Sequence, residues 1–106
     1  MLVVTSETIA NKRIVKTIGL VRGNTVRARH IGKDILAGLR NIVGGEVHEY
    51  AKLVAESREQ SLDRMAKEAA ELGANAVIAT RFTTSVLMGG AAELLAIGTA
   101  VVVEDK

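Results

Sequence analysis

The 106-residue chain has no cysteine and only two aromatic residues, Tyr50 and Phe82. Without thiols, disulfides and thiolate-held metal ions are excluded, and the redox compartment is left open. With so few rings there is little material for an aromatic-lined pocket. The hydrophobic 48% comes instead from Val, Ile, Leu and Ala, side chains that pack into thin, close layers. No stretch approaches the roughly 20 apolar residues a membrane helix needs. Residues Met1 to Glu7 lack a basic start and carry a three-residue apolar run. A secretory signal is not read there, and a cytoplasmic location is expected.

What is present points to one small domain spanning residues 1–106. A domain of this size buries about 60–65% of its unfolded surface, so its own core is modest. Charge is unevenly spread. Residues 1–48 hold eight Lys/Arg against three acids, and residues 49–106 hold six against nine. Such a division suits an anion-facing surface, or attraction between the basic part of one subunit and the acidic part of another.

The pattern predicts a short strand over residues 2–5, then a polar turn over 8–13. Partial alternation from Ile14 to Arg29 reads as strand. A turn is expected within it at Arg22-Gly23-Asn24-Thr25, because Gly and Asn permit positive φ. Ile35, Leu36, Leu39, Ile42 and Val43 recur at helical steps, so Lys33–Val43 reads as a shorter helix stopped by Gly44-Gly45. The clearest element is a long helix over Glu49–Leu72. Its buried stripe runs through Tyr50, Leu53, Val54, Ser57, Ser61, Leu62, Met65, Ala69 and Leu72. Gly73 ends it, and a strand follows from Asn75 to Ser85. A small-residue loop with a hairpin tip at Gly89-Gly90 leads to a final strand, Glu93–Glu104. An antiparallel pair is the natural reading of those last two strands.

The expected architecture is therefore α+β. A two-layer, mainly antiparallel twisted sheet packs on one long and one shorter helix. The final strand is apolar on both faces. One helix layer covers one face, so the other needs either the N-terminal strands or another subunit over it. The expectation is a homo-oligomer.

Several segments together resemble the YbjQ-like family. They are Asp34, Ile42-Val43-Gly44-Gly45, Tyr50, Arg58-Glu59, Gly73-Ala74-Asn75-Ala76-Val77 and Gly98-Thr99-Ala100-Val101. The family carries a heavy-metal-binding label. The resemblance implies a dodecin-like or YbjQ-like fold and a homopentameric ring, with extra short strands joining neighbours. One departure follows Gly45. The family usually places an Arg and a small polar residue there, whereas this chain has Glu46-Val47-His48-Glu49-Tyr50.

Candidate site residues follow from chemistry. His48, Glu46, Glu49 and His30 are the potential metal ligands, although the two histidines lie 18 residues apart. A transition-metal site needs three or four converging donors, and a His at a helix entrance more often caps or sits at the surface. Gly44 and Gly45 precede a helix start that offers free N–H groups to an anion. The phosphate-loop pattern is absent, and Glu46 and Glu49 would repel an anion. Tyr50, Arg58 and Asn75 complete the weak binding candidates. Arg58 is read as an ion-pair former with Glu68 or a neighbouring subunit. Asn75 is read as a buried architectural residue bonding to nearby backbone.

No catalytic constellation is visible. Nucleic-acid binding through Lys16, Arg22, Arg27, Arg29 and Lys33 would lack the usual stacking aromatics. The leading expectation is a non-enzymatic binding or scaffold module. Metal sequestration is the first alternative, and binding of an anionic small molecule or nucleic acid the second.

Overall fold

The computed structural model describes residues 1–27, 47–86 and 92–106. Four strands and one helix appear in the order β1 (Leu2–Val3), β2 (Lys12–Arg27), α1 (Val47–Glu71), β3 (Ala76–Val86) and β4 (Ala92–Asp105). The strands form one sheet ordered β1-β3-β4-β2. β2 and β3 both run antiparallel to β4, and β1 runs parallel to β3. The fold is the expected α+β arrangement, with the helix layered on one sheet face. The shorter helix expected at Lys33–Val43 and the tip at Gly89-Gly90 lie outside the described residues.

One expectation is corrected. No turn interrupts the chain at Arg22–Thr25, and β2 is continuous from Lys12 to Arg27. Gly23 has a different task. A Cβ there would overlap the carbonyl oxygen of Ser61 and the amide nitrogen of Met65, and would lie 2.8 Å from the Arg64 Cβ. The missing side chain lets the α1 backbone settle directly on β2.

The helix forms and stops as its stripe dictates. Ser57, Ser61, Met65 and Ala69 are buried, while Glu56, Glu59, Asp63 and Lys67 face outward. Leu72 departs from the expected stripe and is 52% exposed, because it falls beyond the last helical residue. The stop is a Schellman turn. Gly73 takes φ +91°. Its N–H bonds to the Ala70 carbonyl, and the Ala74 N–H reaches back to Ala69 at 3.0 Å. Ala69 and Ala74 then enter the same core cluster, so the cap feeds the chain straight beneath the helix.

The core is split by the sheet. Against α1 lie Val21, Val77, Ala96 and Ala100, packed with Met65 and Ala69. Opposite them, Ala76, Ile78, Val101 and Val103 form a second cluster, covered by Val4 and Ile9. The N-terminal segment thus folds onto the far face. β3 bends where it does so. Its register shifts between Ile78 and Arg81, and Ala79 takes φ +53°. The Ala79 N–H donates to Ser6 at 2.9 Å, and the Thr80 N–H to Val4 at 3.1 Å. This β-bulge turns backbone groups of β3 toward the covering segment.

Candidate functional site

The far face of the sheet is covered over only part of its length among the described residues. Strand alternation places Leu20, Arg22, Asn24 and Val26 of β2 on that face. They sit opposite Thr99, Ile97, Leu95 and Glu93 of β4. Arg81, Thr83 and Ser85 of β3 complete the rows. Val4 and Ile9 stop short of this half. Leu20 remains 66% exposed and Val26 54%, while Leu95 and Ile97 are half-buried.

Polar groups rim this apolar strip. Arg22 and Arg81 flank Ile97 in a single cross-strand row. The Arg81 guanidinium is anchored, its Nη1 donating to the Thr5 carbonyl at 2.8 Å and the Thr80 carbonyl at 2.7 Å. Asn24 Nδ2 donates to Glu93 Oε2 at 3.0 Å. Arginines beside half-exposed aliphatic side chains are a composition typical of interfaces between proteins. No reacting pair of side chains is evident among these groups.

The expected site residues scatter. Asn75 bonds to nearby backbone, as expected. Its Nδ2 donates to the Val103 carbonyl and its Oδ1 accepts from the Val103 N–H, both at 2.8 Å. The side-chain amide adds a rung to the β3–β4 ladder. The residue as a whole is exposed rather than buried, a correction explained by its place just before β3 begins. Arg58 is exposed on α1, and its expected pair with Glu68 does not form. The two are ten residues apart, or about 15 Å along a helix. Glu68 instead accepts the backbone N–H of Arg22.

His48, Glu49 and Tyr50 lie in the first described turn of α1. Glu46, His30, Gly44 and Gly45 lie outside the described residues. Among the described residues no three His, Asp or Glu side chains come together in a way that could hold a metal ion. No helix of the described residues is long and apolar enough to cross a membrane.

The sheet's other end carries ion pairs. Lys12 Nζ meets Asp105 Oδ1, and Arg13 Nε meets Glu104 at 3.2 Å. The hydrogen bond from Lys12, reinforced by its positive charge, holds the Asp105 carboxyl below the usual carboxylate range. What sequence reasoning missed is the far-face strip on β2. The signal was present in the two-residue steps Leu20, Arg22, Asn24 and Val26, but the expected turn at Gly23 broke the pattern.

Comparison with known proteins agrees with this architecture. A crystal structure of a protein of unknown function from the DUF74 family of Pediococcus pentosaceus superposes with a TM-score of 0.64. It covers 98% of each chain at 14% identity, which shows a shared fold. Closer in sequence is a UPF0145 protein of Methanosarcina acetivorans, 51% identical over the full length of both chains. A UPF0145 protein of Thermococcus kodakarensis is 58% identical over 100% of this chain and 94% of its own. One from Archaeoglobus fulgidus is 56% identical over 95% of this chain and 94% of its own. A family model described as "Putative heavy-metal-binding" matches residues 1–104, and the chain belongs to that YbjQ-like family.

Proposed function

We propose that this chain is a non-enzymatic binding or scaffold module of the cytoplasm, assembled from several copies of itself. Five copies are expected from the family resemblance. The observation that carries the reading is the open half of the far sheet face. Leu20 and Val26 stand exposed there beside half-buried Leu95 and Ile97. Aliphatic side chains interspersed with arginines on an open sheet face suit a protein partner. A subunit of modest core gains stability by burying surface against its neighbours.

Size-exclusion chromatography with light scattering tests the reading. An assembly of defined stoichiometry at micromolar concentration is expected. A stable monomer across that range would overturn self-assembly and leave the open strip for a different partner.

A further inference from the structure

Among the described residues, the helix closes the outer edge of β2 around Gly23. Gly23 brings α1 onto the strand, as shown by the overlap a Cβ would cause with Ser61 and Met65. Arg64 and Glu68 are one turn apart, so they project from the same flank of α1. Both reach past β2. The Arg22 N–H donates to Glu68 Oε2 at 3.4 Å, a long contact strengthened by the carboxylate charge. The Asn24 carbonyl accepts from Arg64 Nη1.

These backbone groups are the ones an added strand would need. In an antiparallel ladder, residues i and i+2 direct their N–H and C=O groups to the same side. Arg22 and Asn24 stand opposite Ile97 and Leu95 of β4, yet the Arg22 N–H and the Asn24 carbonyl meet helix side chains. They therefore face the edge away from β4. An edge presenting such groups freely is a template for another strand.

The strand that fits is β2 of a second copy. Antiparallel pairing of two β2 strands about a twofold axis at Gly23 sets Arg22 of one copy against Asn24 of the other. It also sets Leu20 against Val26. These two residues are 66% and 54% exposed in the subunit, and together they would extend the apolar strip across the joint. Cross-strand aliphatic pairs of this kind favour sheet formation.

We propose that Arg64 and Glu68 guard this edge. By occupying the Arg22 N–H and the Asn24 carbonyl, they exclude β2-to-β2 pairing between copies. Resting on the self-assembly reading, the guard directs a neighbouring copy to the open face rather than to the edge, so that growth ends in a closed assembly.

The test uses the full chain and two readouts. In native mass spectrometry, Arg64→Ala/Glu68→Ala is expected to yield species of twice the wild-type subunit number, and larger ones at higher concentration. Arg64→Lys/Glu68→Gln, which keeps donors and acceptors in place, is expected to hold the wild-type number. A folded alanine variant with unchanged stoichiometry would overturn the guard. A wild-type monomer would sink the self-assembly reading alone, because the guard then requires the alanine variant to go from monomer to dimer. Amide exchange needs no folded double variant. The Arg22 amide is expected to exchange several-fold more slowly in the wild type than an unbonded amide, and to lose that protection in Glu68→Ala. An Arg22 amide exchanging at the unprotected rate in the wild type would also overturn the proposal.

Discussion

The two faces of the sheet draw on the same strands but are covered by different means. On the helix side, small residues bring backbones together. Gly23 lies under α1, and Ala69, Ala96 and Ala100 are fully buried around Met65. On the far side, residues Val4 to Ile9 cover one half with a few aliphatic contacts, and β2 leaves Leu20 and Val26 exposed on the other. Over β2 and β4 the helix face is closed within one subunit and tolerates little change, while Phe82 of β3, paired with Ala96, stays 40% exposed. The far face is finished only in part, and it is there that we propose copies meet.

The largest effect is expected where the helix face is tightest. Gly23→Val would drive a branched side chain into the α1 backbone and lower stability by about 3 kcal/mol or more, read as a fall in the urea midpoint. A wild-type midpoint would break the contrast between the faces, since it would mean that α1 moves freely on β2. Next comes Asn75→Ala, which removes both bonds to Val103. A loss of about 1–2 kcal/mol is expected, measured by thermal unfolding. If stability were unchanged while copurifying ligand disappeared, Asn75 would be a binding residue after all.

Leu20→Glu probes the far face. Subunit stability is expected to change by about 0.5 kcal/mol or less, as at ordinary surface positions, while assembly is lost. A large fall in subunit stability without a change in mass would show the strip to be core. The smallest effect concerns the exposed Lys12–Asp105 pair. The Asp105 pKa is depressed in the folded state, so the pair adds stability above the unfolded carboxylate value and loses it as pH falls through the folded one. Asp105→Asn is therefore expected to melt slightly below the wild type near neutral pH. The gap should close in acid, below the ordinary value of 3.8. A gap that persists there would assign the effect to packing.

Much of the helix side was legible in the sequence, for physical reasons that can be named. The recurrence of Ser57, Ser61, Met65 and Ala69 marks a buried stripe whatever it packs against. Gly73 followed by Ala74-Asn75 marks a helix stop and a strand start. The final strands also read true, since Ala76–Val86 and Ala92–Asp105 lie within two residues of expectation. β2 was harder. A glycine beside an asparagine signals a turn when only local angles are considered, and Gly23 is needed instead for contact with residues about 40 positions away. The bulge at Ile78–Arg81 gave no local sign, because Ala79 adopts positive φ without glycine's help. The edge contacts of Arg64 and Glu68 were equally silent, as both read as ordinary charges on a solvated helix face. Of the candidate site residues, Asn75 and Arg58 could be placed in full. Asn75 was legible as architecture because its neighbour Gly73 announced the joint.

Native mass spectrometry of the wild type beside Leu20→Glu decides whether copies assemble through the far face. The wild type is expected at a fixed multiple of the 11.2 kDa subunit, with five copies from the family resemblance, and Leu20→Glu as a folded single subunit. A wild-type mass of one subunit, or an assembly indifferent to Leu20→Glu, would contradict it.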